Sequence, residues 1–80
     1  MAGASLDDIA VFVAVVDAGS FAAGGQSVGL SRSAAGKAIA RLENRLGTRL
    51  LQRTTRALSL TIEGETFCAH CRDILAAVNT

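Results

Sequence analysis

Apolar residues recur at helical spacing near the start of the chain. Ile9, Phe12, Val13 and Val16 stand at i, i+3, i+4 and i+7, the stripe of a helix that faces a core. Val11 and Val15 lie on the opposite side and are apolar too. A helix apolar on two sides needs two partners, so one face is expected to meet something outside a three-helix core. Ser5, with Asp8 three positions later, marks the start of this helix, and Gly19 marks its stop. Ser20 to Gly29 and Ser31 to Gly47 repeat the punctuation, which predicts three short helices in succession. In the third, Ala35, Ile39, Leu42 and Leu46 share the inner face, while Ser33, Lys37, Ala40, Arg41 and Asn44 share the outer one. Thr61 caps a fourth helix, with Glu63 and Glu65 in its first turns where they complement the dipole.

Between Gly47 and Thr61 the period changes. Leu50-Leu51-Gln52 and Leu58-Ser59-Leu60 predict two short strands, with Arg53-Thr54-Thr55-Arg56 at the tip between them. No Asn-Gly or Asp-Gly pair is present, so the tip is expected to be longer than a two-residue turn. Gly29-Leu30-Ser31 joins the second and third helices directly, with Leu30 packing inward at the corner. The expected fold is mainly α with a small β-hairpin, a winged helix-turn-helix. Residues 1–60 would form its three-helix core and two-stranded wing, and residues 61–80 a long C-terminal linker helix.

Charge sharpens this picture. The chain of 80 residues carries a net +1, but residues 1–30 sum to −3, residues 31–56 to +6 and residues 57–80 to −2. Arg32, Lys37, Arg41, Arg45, Arg49, Arg53 and Arg56 oppose Glu43 alone in the middle segment. A basic segment on the second helix of a helix-turn-helix and on its wing is the footprint of a nucleic-acid site. Enzymatic chemistry has little to work with: one His, no Tyr, no Trp and no clustered carboxylates. A chain this short buries only about 60% of its unfolded surface, which leaves little room for a deep cleft. The longest apolar run, Ile9 to Val16, is far short of the roughly 18 residues that cross a bilayer. No basic leader precedes it, so a cytoplasmic, nucleoid-associated location with reduced cysteines is expected.

The residues in these elements resemble a known family. Phe12-Val13-Ala14-Val15, Ala18-Gly19-Ser20-Phe21-Ala22-Ala23, Leu30-Ser31-Arg32-Ser33-Ala34-Ala35, Ile39 with Arg41-Leu42-Glu43, Leu46-Gly47-Thr48-Arg49-Leu50-Leu51, Arg53-Thr54-Thr55-Arg56, and Leu60-Thr61 with Gly64 are together similar to the N-terminal domain of LysR-type transcriptional regulators. The resemblance runs over residues 6 to 76. It implies a DNA-binding domain that recognises palindromes of the T-N11-A type and dimerises through its fourth, linker helix. In the family that helix leads to a larger domain that binds a small-molecule effector. The chain reaches Thr80 inside or just past the helix, so it is expected to be an isolated or truncated domain that binds no effector and needs no cofactor.

Carried over residue by residue, the resemblance places Arg32, Ser33 and Lys37 in the major groove and Arg56 in the minor groove. Arg41 on the outer face and Arg53, Thr54 and Thr55 at the tip join them as DNA contacts. Ser20 and Ser31, at helix N-termini, are expected to cap their helices and to anchor phosphates. This sequence also departs from the family pattern. Arg32 stands where Gln is common, Gly36 where Ser is usual, and Lys37 where Arg is usual. Ala38 and Ala40 are small for a reading helix, and Gly24-Gly25 replaces Ala-type positions at about 1 kcal/mol per glycine. Specificity is therefore expected to rest more than usual on DNA shape and the wing.

Cys68-Ala69-His70-Cys71 has the outline of a metal or redox motif. Zinc needs four ligands and no second pair is present, and a thioredoxin-type site needs a βαβ surround. Phe67, Cys71, Ile74, Leu75 and Val78 instead form a helical stripe, so packing is the favoured role. Gly36-Lys37-Ala38 after Gly29 has the wrong spacing for a phosphate-binding loop. The stripe on the fourth helix and the surplus face of the first predict a two-fold dimer through Val11, Val15, Cys71, Ile74, Leu75 and Val78. Three functions stay open from the residues themselves. Sequence-specific binding of double-stranded DNA leads, followed by a protein-interaction module on the same winged fold, then a sensor through Cys68 and Cys71.

Overall fold

The computed structural model describes residues 5–53 and 58–78. Three helices come first: α1 (Leu6–Ala18), α2 (Phe21–Ser27) and α3 (Arg32–Leu46). Strands β1 (Leu51–Arg53) and β2 (Leu58–Leu60) follow, then α4 (Ile62–Val78). The strands pair antiparallel, with Leu51 opposite Leu60 and Arg53 opposite Leu58.

Each helix starts where its hydroxyl predicts. The side chains of Ser5, Ser20 and Ser31 accept from the amides of Asp8, Ala23 and Ala34 at 3.0–3.1 Å. The Thr61 hydroxyl accepts from Gly64 at 2.8 Å. A side-chain oxygen in this position satisfies one of the donors that a helix start leaves without a partner. Gly19, Gly29 and Gly47 all take the left-handed conformation, at φ +75°, +78° and +69°. Gly19 and Gly47 end α1 and α3, while Gly29 shapes the corner between α2 and α3. There the Leu30 amide returns to the Gly25 carbonyl at 2.7 Å, and its side chain packs on the core as expected.

The core gathers around α1, which touches α2, α3, β2 and α4. Phe12, Val15, Ala35, Ile39, Leu42, Leu50 and Cys71 are fully buried in it. The Phe12 ring meets Phe67 of α4 at a centroid distance of 5.6 Å. This corrects the expected surplus face: Val11 and Val15 are buried inside the chain, as is Cys71. The second partner that α1 requires lies within the chain: α2 closes on the Val15 backbone, while α4 meets α1 at Phe12. Leu46, expected on the inner face of α3, is 39% exposed at the helix's last turn.

Two glycines of α2 are close-packing residues. A side chain at Gly24 would run into the Val15 backbone, and one at Gly25 would meet the carbonyl oxygens of Leu30 and Ser31 at 2.9–3.0 Å. Their propensity cost is therefore offset by the close approach of α2 to α1 and to the turn. Gly64 does the same for α4, where an added Cβ would strike the Leu50 carbonyl oxygen. Packing thus continues across residues 60 and 61, and Gly64, Cys68 and Cys71 seat the first half of α4 on the core.

Candidate nucleic-acid interface

The outer face of α3 is where the basic residues gather. Arg32, Ser33 and Lys37 are exposed on its N-terminal half, followed on the same side by Ala40, Arg41 and Asn44. Ala38 lies on the opposite side and is buried, so its small size serves packing and has no bearing on base contacts. Ser31 caps the end from which Arg32 and Ser33 project, and Ser20 caps α2. A hydroxyl that accepts from an amide can still donate its own hydrogen to a phosphate.

Arg41 has a defined partner. Its Nε and Nη2 donate to Oδ2 and Oδ1 of Asp8 at 3.1 and 2.9 Å. Asp8 is only 5% exposed, and this fork fixes the middle of α3 to the start of α1. The carboxylate raises the Arg41 pKa above the ordinary guanidinium value through the hydrogen bond and its charge. Arg41 was expected to be a DNA contact; its fork is already committed to Asp8, although half of the side chain stays exposed.

Glu43 is a residue that sequence reasoning missed. It is the one acid between Ser31 and Arg56, and it turns inward and is buried. One carboxylate oxygen accepts from the amides of Leu50 and Leu51 at 2.9 and 3.3 Å, and the other lies 3.9 Å from Arg49. Glu43 thus ties α3 to the first strand of the wing. It also leaves the outer face of α3 without a negative charge. A lone acid in a basic run, at the inward-facing position next to Leu42, was the available signal.

The base of the wing is held by Thr61, whose amide donates to the Leu50 carbonyl at 3.0 Å and whose hydroxyl donates to the Arg49 carbonyl at 2.7 Å. Of the tip residues, the Arg53 backbone pairs with Leu58; its side chain, with Thr54, Thr55 and Arg56, lies outside the described residues.

On α4, Cys68 and Cys71 are free thiols sealed in the core. Burial, and next the neighbouring Cys68, push the Cys71 thiol up to about 11. A buried thiol held protonated is a poor nucleophile and a poor metal ligand. Among the described residues no three His, Cys, Asp or Glu side chains gather into a metal site. Ile74 and Val78 are 41% and 58% exposed, and Leu75 is half-buried. Arg72 pairs with Asp17 at 2.7 Å, joining α4 to the end of α1 and holding the Asp17 carboxyl below its usual range. Among the described residues no helix is long and apolar enough to cross a membrane.

A three-helix core, a tight corner at Gly29 and Leu30, a basic outer helix and a two-stranded hairpin define a winged helix-turn-helix protein. A family profile described as “Bacterial regulatory helix-turn-helix protein, lysR family” matches residues 6–65. The chain belongs to the LysR family of bacterial regulatory proteins. It is 46% identical over 72 residues to a Klebsiella pneumoniae protein named “Probable HTH-type transcriptional regulator LtrA”, covering 90% of this chain and 23% of that protein. The chain therefore spans about a quarter of that relative's length. Its fold matches the DNA-binding domain of CbnR in complex with DNA, with a TM-score of 0.88 and 31% identity, over 94% of this chain and 86% of the other. The DNA-binding domain of BenM in complex with catB site 1 DNA gives a TM-score of 0.90 at 31% identity, over 94% and 84% of the two chains.

Proposed function

We propose that this domain reads duplex DNA by inserting the N-terminal half of α3 into the major groove and the wing into the minor groove. It is the DNA-binding part of a bacterial transcriptional regulator. The observation that carries the geometry is the outer face of α3: Arg32, Ser33 and Lys37 are exposed together, while Glu43 is buried. Arg32 suits a bidentate contact to guanine O6 and N7, worth about 1–3 kcal/mol of discrimination. Lys37 reaches a base or a phosphate as a point charge. Ser20 and Ser31 donate to phosphates at the groove edges, and Arg53, Thr54, Thr55 and Arg56 form the minor-groove contact. Arg41 acts chiefly by fixing α3 on α1.

A two-fold dimer completes the reading of a palindrome. Its contact is the outer stripe of α4, reduced to Ile74 and Val78 with the edge of Leu75, because Val11, Val15 and Cys71 are used internally. Two α3 helices would then enter major grooves one turn, or a multiple, apart. A small-molecule effector would act only through a further domain of the intact regulator, in a cytoplasmic setting.

The test is fluorescence anisotropy on palindromic T-N11-A duplexes against scrambled duplexes, across a salt series. A specific complex whose affinity falls steeply with salt is expected, with Lys37→Ala lowering the log–log slope by about one. Equal affinity for every duplex would remove sequence reading from the proposal. Absence of binding at low salt, unchanged by reversing Arg32 and Lys37, would leave a winged protein-interaction module.

A further inference from the structure

A shallow recess lies between the start of α2 and the outer face of α3, bounded by Phe21, Arg32, Ser33 and Gly36. Its lining is mostly apolar, although it opens beside the exposed Arg32 and Ser33 of the basic face. Phe21 is half-buried with its inner side packed on the core, which fixes the ring at one edge. Gly36 forms the other edge. Among the described residues nothing requires a glycine there, since an added Cβ would meet no neighbouring element within 4 Å. A glycine inside a helix weakens it, so Gly36 stands against local preference. What it provides is open apolar space and close access to the backbone on the side that faces the ligand.

We propose that this recess receives the 5-methyl group of a thymine in the major groove, making Phe21 and Gly36 specificity-determining residues. The inference rests on the placement of α3 proposed above. Each base pair presents donors and acceptors in the major groove, and the thymine methyl is the apolar feature among them. Arg32 and Ser33 beside the recess supply the polar contacts to the adjacent base edges. An apolar notch beside two polar readers therefore selects a thymine next to their target. The face is basic and carries no acid, which suits DNA as the occupant.

The experiment starts from a duplex that this chain enriches from a randomised palindromic library. Each thymine in it is replaced singly by deoxyuridine, which removes the methyl group and leaves the base-pairing edge intact. One thymine per half-site is expected to lose affinity by about fourfold per methyl group, and the other replacements by less than about half as much. Gly36→Ala should narrow the recess by one methyl group, placed where the thymine methyl would sit. It is expected to bind the thymine duplex more weakly, to become indifferent to deoxyuridine at that position, and to keep its melting temperature or raise it. Specific binding that tolerates deoxyuridine everywhere overturns the recess and leaves the DNA-reading proposal standing. So does a Gly36→Ala protein that keeps the full deoxyuridine penalty. Failure to enrich or bind any duplex overturns both proposals together, and is recognised because the thymine duplex itself is then not held.

Discussion

Arg41 closes its guanidinium on both carboxylate oxygens of Asp8, a residue 33 positions earlier in the chain. The contact joins the helix proposed to read DNA to the helix at the centre of the core. Losing the arginine would leave a nearly buried carboxylate without its partner, which is the costly way to break such a pair. Arg41→Met is therefore expected to lower the melting temperature by several degrees, and Asp8→Asn by less. Lys37→Ala should leave it unchanged, because Lys37 is exposed and away from the core. Thermal unfolding followed by circular dichroism checks all three. Equal melting temperatures for Arg41→Met and Lys37→Ala would remove the structural role of the fork.

Glu43 accepts from two backbone amides where the chain turns into the wing. Glu43→Leu leaves both without a partner at a buried position, at a cost of about 2–4 kcal/mol. Glu43→Gln keeps one acceptor oxygen and should lose about half as much. Urea unfolding gives the difference, and DNA affinity should fall in the same order, since the wing loses its fixed position beside α3.

Two glycines should respond in opposite ways to the same substitution. Gly24→Ala forces α2 away from the Val15 backbone and is expected to destabilise by about 1–3 kcal/mol. Gly36→Ala meets open space and should stabilise by about 0.5–1 kcal/mol through helix propensity alone. Side-by-side thermal melts decide the matter, and a Gly36→Ala protein less stable than the parent would contradict the open geometry at α3.

Cys71 supplies a pH dependence with a definite sign. Its thiol is pushed up to about 11 in the folded chain, from an ordinary 9.0. Between those values the unfolded chain has lost the proton while the folded one retains it. Stability contributed by the neutral thiol is complete below about 9 and declines as pH rises towards about 11. At pH 8 the folded protein should resist alkylation by iodoacetamide, while the urea-unfolded protein is labelled at both cysteines. Mass spectrometry reads the outcome, and rapid labelling of native Cys71 would show that the thiol is neither sealed nor held protonated.

The helices were legible because their limits are local. A hydroxyl at Ser5, Ser20, Ser31 or Thr61 needs only an amide three residues on, and Gly19 and Gly47 need only their own φ angle. The corner at Gly29-Leu30-Ser31 is local in the same sense. Contacts across the fold are another matter. Val11 and Val15 presented an apolar face without naming what covers it, and the chain buries both, with α2 closing on the Val15 backbone. Arg41 sits on the outward side of its helix by periodicity, but the length of an arginine side chain lets it reach back to Asp8. The two glycines of α2 looked like a loss of helix propensity until the Val15 backbone was placed beside them. Gly36 had the same sequence appearance and the opposite surroundings.

Thr61 fixes the end of β2 and the beginning of α4 within one residue, through its amide, its hydroxyl and the Gly64 amide. No slack segment separates the wing from the long helix. A torque on the far turns of α4 would therefore be delivered to the base of the hairpin as a rigid crank delivers it, with Gly64 against Leu50 as the bearing. In the two-fold dimer proposed above, a small rotation of one such helix against another would set the distance between two reading heads, and the joint at Thr61 would pass that rotation on.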